Sequence, residues 1–184
     1  IPLVHEACYV MERQKIQQAE IDSAVKFRLG FPMGIFELAD FTGLDVIHKA
    51  TTEMHVRDKK VILPHPRIEQ LFNEKKLGQK SGEGFYKYSD DRYERISLSE
   101  ELAQKCDPVQ IIANILNNAA WLITNNASDA DEIEKAANLG LGLKKPLFES
   151  AKEIGMQKIV DELKQLSKKH GVFYEPDPLL LSMC

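Results

Sequence analysis

The sequence predicts an all-α protein built from two related helical units. Three observations support this prediction. Apolar residues recur at helical spacing in both halves of the chain, strand signals are nearly absent, and the sequence matches itself without a gap at an offset of 112 residues. Residues 1–72 pair with residues 113–184, with identity at about one position in five. We therefore expect a tandem duplication of a unit with three to four helices.

The first helices of the two copies carry matching apolar stripes. In copy one the stripe is Leu3, Val4, Ala7, Cys8 and Met11, and in copy two it is Ile115, Leu116, Ala119, Ala120 and Ile123. Ser128, with Asp131 three residues later, predicts a capping-box-like start for the next helix of copy two. That helix is expected to end near Gly140 and Gly142.

A third, longer helix is predicted to begin around Gly34 in copy one and Pro146 in copy two. It would turn Phe36, Ala39 and Ile47, or Phe148, Ala151 and Ile159, toward the core. Lys168 and Lys169, followed by Gly171, suit the C-terminus of this helix in copy two. Both copies then contain a Pro-x-Pro segment, at Pro64-His65-Pro66 and Pro176-Asp177-Pro178.

Composition excludes several classes of protein. The chain has 184 residues, of which 43% are hydrophobic and 28% charged, and its formal net charge is −4. These values are typical of a soluble globular protein with one or two domains, and they argue against a general nucleic-acid binder. No apolar run reaches the roughly 18 residues that a membrane span needs.

The cysteines indicate the cellular compartment of the protein, and the first residue indicates whether a segment precedes it. Cys8, Cys106 and Cys184 are odd in number and widely spaced, so neither a disulfide framework nor a C-x-x-C site is expected. We expect a reducing, cytoplasmic location. Because the chain starts with Ile1 and not Met, we also expect that a preceding segment has been cut away.

The repeat and the polar stretch between its copies divide the chain into three parts. Residues 1–88 form the first domain, because copy one continues beyond the repeat through Tyr88. Residues 89–106 are a polar linker. Residues 107–184 form the second copy, which is diverged and ends before any equivalent of that continuation.

A glycine-rich stretch follows copy one, from Gly78 through Lys80-Ser81 to Gly84. A phosphate-binding loop would place the Lys-Ser pair after its last glycine, at the mouth of a helix, whereas here the pair precedes Gly82. We therefore favour a turn, pinned to the body of the domain by the aromatic residues Phe85, Tyr86 and Tyr88, over a nucleotide-phosphate site.

Few residues indicate catalysis by themselves. The five histidines show no metal-binding spacing, and no Gly-x-Gly-x-x-Gly follows a strand, so neither a metal site nor a dinucleotide site is expected in this segment. His5-Glu6 could act as a base, but no nucleophile accompanies it. Glu37 and Glu149 match across the copies, and we interpret them as helix caps.

Two motifs carry a specific resemblance. The run Leu29-Gly30-Phe31-Pro32-Met33-Gly34-Ile35-Phe36-Glu37-Leu38-Ala39-Asp40-Phe41-Thr42-Gly43-Leu44-Asp45 is followed by Lys76-Leu77-Gly78-Gln79-Lys80-Ser81-Gly82-Glu83-Gly84-Phe85-Tyr86, and the two motifs lie about 45 residues apart. Together with His5-Glu6-Ala7 and Glu20-Ile21-Asp22-Ser23-Ala24, they resemble the C-terminal domain of L-3-hydroxyacyl-CoA dehydrogenases. Copy two resembles the second, diverged domain of multifunctional β-oxidation proteins, which commonly adjoins an enoyl-CoA hydratase domain. The implied fold is of the 6-phosphogluconate dehydrogenase C-terminal-like type.

The resemblance implies oxidation of (3S)-3-hydroxyacyl-CoA to 3-oxoacyl-CoA, with NAD as hydride acceptor. In that family the catalytic residues and the NAD site belong to a Rossmann domain that precedes this segment, so no catalytic, cofactor or metal residue is assigned here and the segment alone is expected to be inactive. What remains is the helical part that closes over the acyl-CoA and supplies dimer contacts. Pro32, Met33 and Phe36 are the candidate substrate-binding residues.

Copy two departs from this pattern, because Lys144-Lys145-Pro146 replaces Pro32-Met33-Gly34. We interpret copy two as a structural partner that pairs with copy one inside a single chain. Two alternatives stay open. One is a non-catalytic helical assembly module without acyl-CoA contact, and the other is the helical half of a 6-phosphogluconate or 2-hydroxyacid dehydrogenase.

Overall fold

The prediction of an all-α protein is confirmed. The computed structural model describes residues 2–58, 61–89, 92–93 (backbone only), 98–143 and 145–184. Almost all regular structure in these residues is helical. The first-copy helices are α1 (Pro2–Gln14), α2 (Gln18–Phe27), α3 (Ile35–Thr42), α4 (Leu44–Arg57) and α5 (Pro66–Asn73).

The segment after α5 contains short elements before the second set of helices begins. A 3-10 turn (Gln79–Ser81) precedes an antiparallel pair of two-residue strands, β1 (Tyr88–Ser89) and β2 (Arg92–Tyr93). The remaining helices are α6 (Glu100–Ala103), α7 (Val109–Thr124), α8 (Ala130–Leu141), α9 (Leu147–Ile154), α10 (Met156–His170) and α11 (Pro178–Ser182), with a second 3-10 turn at Val172–Tyr174.

The contacts within the chain separate two compact units. The first unit comprises residues 1–28 and 33–106, and the second comprises residues 29–32 and 107–184. In the first unit α6 packs against α2, and the Ser99 N–H donates to Ser23 Oγ at 3.2 Å. Residues 98–106 of the expected linker thus fold with the first unit. The boundaries at residues 88 and 107 stay a prediction.

The duplication is visible in the helix bounds. Helices α2, α3, α4 and α5 begin at residues 18, 35, 44 and 66, and α8, α9, α10 and α11 begin at residues 130, 147, 156 and 178. Each start in the second unit lies 112 residues after its equivalent. Within the residues that the structure describes, each repeat therefore shows five helices, α1–α5 and α7–α11, where the sequence suggested three to four.

The predicted long third helix is wrong in both units, and glycine explains the difference. Gly43 separates α3 from α4 and Gly155 separates α9 from α10, with φ of 100° and 101°. Since a side chain resists positive φ, glycine is favoured at both breaks. The Gly43 N–H still bonds Ala39 O, but the Leu44 N–H turns to Leu77 O at 3.2 Å.

Predicted helix ends in the second unit are confirmed, whereas one predicted start moves. Gly142 ends α8 in the left-handed conformation, and Gly171 ends α10. The α8 N-cap is Asp129 and not Ser128, because the Asp129 carboxylate accepts the Glu132 N–H at 2.8 Å. The Ser128 hydroxyl instead donates to the Glu132 side chain.

Each unit has its own apolar core. In the first unit the largest fully buried apolar side chains are Ile21, Phe36, Leu44, Ile68 and Leu71. In the second unit they are Ile111, Ile112, Leu116, Ile159, Leu163 and Leu180. Leu116 belongs to a predicted apolar stripe, and the prediction that Ile159 faces the core is confirmed.

A buried polar bridge ties α1 to the start of α5. The His65 N–H donates to His5 Nδ1 at 2.9 Å, so the ring proton of His5 lies on Nε2 and is donated to Thr51 Oγ1 at 2.8 Å. His65 in turn caps α5, because its Nδ1 accepts the Arg67 N–H. The other ring nitrogen of His65 lies 3.2 Å from a carboxylate oxygen of Glu12.

The second unit forms the same bridge with different residues. The Asp177 N–H donates to Asn117 Oδ1 at 2.8 Å, and the Asp177 carboxylate accepts the Leu179 N–H and the Thr124 hydroxyl. Residues 117, 124 and 177 are the repeat equivalents of His5, Glu12 and His65. Both units thus form the same backbone-to-side-chain hydrogen bond at equivalent positions, although the residue types differ.

We expect the bridge of the first unit to weaken in acid. Burial lowers the pKa of His5 to about 4, helped by the neighbouring His65. As pH falls, His5 is therefore protonated in the unfolded chain before it is protonated in the folded one. The contribution of neutral His5 to the free energy of unfolding is complete above pH 6.5 and is lost as pH falls toward 4. The loss amounts to about 2–3 kcal/mol at pH 4.5. In His5→Asn, which copies Asn117, this pH-dependent part should disappear.

Hydrogen exchange of residues 61–73, compared between wild type and His5→Asn at pH 7.0 and 4.5, measures the difference. Carboxyl groups and His65 titrate in both proteins, so we assign the change in that difference to His5. Asn117→Ala is the matched control, because an amide does not titrate and its effect on residues 173–184 should be the same at both pH values. A difference between wild type and His5→Asn that does not vary with pH would contradict the assignment.

Candidate functional site

The site is built around Asp22, a fully buried carboxylate on α2. It accepts the N–H groups of Phe36 and Glu37 at 2.9 and 3.0 Å, and the Tyr86 hydroxyl at 2.8 Å. The two N–H groups belong to the first turn of α3, where backbone donors have no acceptors within their own helix. Asp22 therefore fixes the start of α3 against α2 and joins both to Tyr86.

A second buried carboxylate, Asp40, holds the glycine-rich tail, by which we mean residues 76–88. It lies near the end of α3 and accepts the N–H groups of Phe85 and Tyr86, each at 2.9 Å. The Tyr88 hydroxyl donates to it as well, at 2.9 Å. The Phe85 ring also packs on Phe36, with centroids 4.3 Å apart. The predicted pinning of this stretch by its aromatic residues is confirmed.

Burial controls the electrostatics of this network. It raises the pKa of Asp22 to about 7, against the opposing effect of its three donors, and it also raises the pKa of Asp40. Burial and the neighbouring carboxylates raise the pKa values of Tyr86 and Tyr88, so both phenols stay protonated as hydrogen-bond donors. The network is thus a set of donors directed at two carboxylates.

The glycine-rich tail does not fit a nucleotide. A Cβ on Gly84 would lie 2.1 Å from Asp40 Oδ1, and a Cβ on Gly78 would lie 2.3 Å from the Asp40 carbonyl oxygen, so these glycines permit close packing on Asp40. Lys80 pairs with Asp45, and the Ser81 hydroxyl bonds within the turn. A dinucleotide diphosphate would meet the buried carboxylate of Asp40 here.

The structure divides the three predicted substrate-binding residues between the units. Met33 and Phe36 lie in the first unit, and Pro32 groups with the second. Phe36 is fully buried in the core, Met33 is half-buried and Pro32 is exposed. Of the two residues in the first unit, Met33 thus has the accessible side chain, whereas Phe36 packs in the core next to the turn. Their role in substrate binding stays a prediction.

Glu37 is a helix cap, as expected, and it acts on the residue that follows Met33. Its Oε2 accepts the Gly34 N–H at 2.7 Å, and Lys26 Nζ lies 3.6 Å from the same oxygen. The carboxylate is almost completely buried, with 8% of the residue exposed. The Met33–Gly34 turn is therefore held by Glu37 on one side and begins a helix held by Asp22.

The second unit retains only part of this arrangement. Glu134, the equivalent of Asp22, accepts the N–H groups of Leu147 and Phe148 at 2.7 and 3.0 Å. The equivalent of Asp40 is Lys152, which is exposed. Of the basic Lys144-Lys145 pair, Lys145 forms an ion pair with Glu153, and Lys144 lies outside the described residues.

The other candidates from the sequence have structural partners. His5 belongs to the bridge described above, and Glu6 pairs with Arg13, so the His5-Glu6 pair does not act as a free base. Across the described part of the chain, no three His, Cys, Asp or Glu residues are grouped so as to hold a metal ion. Nor is any described helix both long and apolar enough to cross a membrane.

Sequence reasoning missed Asp22 and Asp40 as the organising residues. Apolar spacing predicts which faces are buried but treats an Asp on a helix as exposed. A signal was present, because Asp22 and Asp40 lie within the motifs that carry the family resemblance. Glycines and aromatic residues concentrated in the tail also indicate a close backbone approach to some partner.

Buried carboxylates thus hold the Met33–Gly34 turn, the start of α3 and the glycine-rich tail within the first unit. Residues 1–88 match the family model described as 3-hydroxyacyl-CoA dehydrogenase, C-terminal domain. Over these residues, 88 of the 184 in the chain, the sequence is similar to that domain.

A curated relative shows the same similarity over the same part of the chain. The mitochondrial hydroxyacyl-coenzyme A dehydrogenase of Rattus norvegicus is 41% identical over 90 residues, which make up 48% of this chain and 29% of the relative. The chain thus matches less than a third of the length of that relative.

Solved structures extend the likeness in fold to both units. The 3-hydroxybutyryl-CoA dehydrogenase of Escherichia coli K12 covers 99% of this chain, with a TM-score of 0.78 and 19% identity, and 57% of that structure is matched. The dehydrogenase part of multifunctional enzyme 1 of C. elegans covers 96%, with a TM-score of 0.64 and 19% identity, and 46% of it is matched. At this identity the likeness concerns the fold alone.

Removing the two equivalent carboxylates should have unequal effects. Asp22→Ala leaves two buried N–H groups and the buried Tyr86 hydroxyl without an acceptor, which should lower the free energy of unfolding by about 3–5 kcal/mol. Glu134→Ala exposes two N–H groups of a half-buried helix start to water, which should cost about 1 kcal/mol. Hydrogen exchange of α3 and α9 measures each loss in its own unit. Equal losses of stability in Asp22→Ala and Glu134→Ala would contradict the conclusion that the first unit depends on Asp22 more than the second depends on Glu134.

Proposed function

We propose that the chain is the substrate-closing helical part of an NAD-dependent (3S)-3-hydroxyacyl-CoA dehydrogenase. Such an enzyme oxidises the 3-hydroxyl of an acyl-CoA to a ketone and acts in fatty-acid β-oxidation or related acyl-CoA metabolism. The observation that carries the proposal is the family match over residues 1–88, which contain the whole carboxylate network.

Within this proposal Met33 contacts the acyl-CoA. It lies between the exposed Pro32 and the clamped Gly34, and its side chain is half-buried and apolar. A flexible thioether adapts to an acyl chain or thioester, and a fixed backbone lowers the entropy lost on binding. Phe36, packed on Phe85, supports the turn from the core.

The remaining parts of the enzyme are also proposals. NAD, when bound, accepts the hydride, and we assign it to a Rossmann domain other than these 184 residues. An enoyl-CoA hydratase domain is a further partner that the resemblance implies. We keep the expectation that the two copies satisfy, within one chain, the interface that single-copy relatives form between chains. The cytoplasmic location stays a prediction.

Acyl-CoA contact can be tested on the chain itself. With 13C-methyl-labelled methionine, acetoacetyl-CoA should shift the Met33 signal, with a dissociation constant in the millimolar range, because half of the expected cleft belongs to another domain. The other four methionines, Met11, Met54, Met156 and Met183, are internal controls that should not respond. CoA without an acyl group should shift Met33 much less. A Met33 signal that does not change with acetoacetyl-CoA would remove Met33 from the site and favour the assembly-module alternative.

The enzymatic role can be tested with a graft. The 184-residue chain alone should consume no NADH with acetoacetyl-CoA. Residues 1–88, replacing the matched part of the rat enzyme, should support NADH consumption followed at 340 nm. The matched control carries residues 113–184 in the same place and should be inactive. Absence of turnover in a residues 1–88 graft that is folded and binds NADH would count against the proposal.

A further inference from the structure

We propose that Glu37 is a positioning residue, which sets the conformation of the Met33–Gly34 turn so that Met33 meets the acyl-CoA. This inference rests on the proposed function and adds a residue that acts on substrate binding through the backbone. Four features of the turn support it: its hydrogen bonds, its close packing, its charge and its counterpart in the second unit.

The first feature is the hydrogen bond beside Met33. Glu37 Oε2 accepts the Gly34 N–H at 2.7 Å, and this N–H belongs to the peptide bond that joins Met33 to Gly34. Holding this peptide plane restricts ψ of Met33 and so restricts where its side chain emerges. A side chain that acts on Met33 in this way needs no contact with the substrate.

The second feature is the close packing on the other side of the turn. A Cβ on Gly34 would lie 2.1 Å from Asp22 Cγ, so Asp22 occupies the space that a side chain at residue 34 would need. Asp22 is itself held by Tyr86 and by two N–H groups of α3. The turn is thus confined between a carboxylate that accepts its N–H and another that packs against its Cα.

The third feature is the electrostatic cost. Two acidic residues, Asp22 and Glu37, are buried beside one turn, and the charge of Glu37 contributes to the raised pKa of Asp22. Lys26 Nζ lies 3.6 Å from Glu37 Oε2 and places a positive charge beside this carboxylate. Burying Glu37 beside Asp22 is unfavourable for stability. Such unfavourable local arrangements are most common at functional sites.

The fourth feature is that the second unit starts the same helix without such a clamp. Pro146 stands in place of Gly34 and has no N–H, and Glu149, the equivalent of Glu37, is exposed. Glu134 accepts the N–H groups of Leu147 and Phe148. The start of α9 needs no second acceptor, because Pro146 presents no N–H to satisfy. In the first unit Gly34 does present an N–H, and Glu37 is the acceptor that fixes it beside Met33.

Three variants and one control test the inference in the 184-residue chain. Glu37→Ala removes the acceptor, and Glu37→Asp keeps the charge but is too short to reach the Gly34 N–H. Both should weaken acetoacetyl-CoA binding about fivefold, read from the Met33 methyl signal, with an unchanged far-UV circular dichroism spectrum. Glu37→Gln keeps an oxygen acceptor and should bind within about twofold of wild type. Glu149→Ala should bind as wild type does.

Each outcome bears on one proposal. Wild-type affinity in folded Glu37→Ala or Glu37→Asp, while Met33 still responds to acetoacetyl-CoA, overturns the positioning role and leaves the proposed function standing. No response of Met33 in the wild-type chain overturns the proposed function first. Should Glu37→Ala fail to fold, Glu37→Asp and Glu37→Gln decide the matter, because a loss of affinity in Gln as large as in Asp would show that an oxygen acceptor at this position does not preserve binding, which overturns the role of the hydrogen bond.

Discussion

The first unit depends on buried carboxylates that accept backbone N–H groups. Asp22 holds the start of α3, and Asp40 holds the chain 45 residues further on at Phe85. Backbone donors removed from water must find acceptors, and a carboxylate can satisfy several at once. The same two carboxylates therefore cap a helix, dock the glycine-rich tail and shape the turn before α3, which places stability and the proposed substrate contact in a single network.

Much of the architecture could be predicted from the sequence because apolar spacing and repetition are long-range signals. The stripe through Val4, Ala7 and Cys8 is buried, and the ends of α8 and α10 lie at the predicted glycines. The break at Gly43 was missed, since the apolar period continues across it and only the positive φ ends the helix. Asp22 and Asp40 could not be inferred from period alone, because their burial depends on donors that come from distant residues.

The two units show which features a helical repeat keeps when its sequence drifts. Positions 5 and 117 both accept the N–H that precedes the last helix of the repeat, although one residue is histidine and the other asparagine. Positions 22 and 134 both cap the third helix with a carboxylate. Geometry at helix ends is retained because a buried N–H has few alternatives, whereas the residue type can change to any side chain that offers an acceptor.

Lys152 shows that the two units are no longer interchangeable. At this position the first unit has Asp40, the acceptor for two backbone N–H groups of the tail, and an ammonium group is a donor that repels the same N–H dipoles. If the glycine-rich tail were placed on the second unit, its backbone N–H groups would face the Lys152 ammonium group, which is also a donor. The second unit therefore cannot acquire the tail by gaining that segment alone, because residue 152 would have to become an acceptor as well.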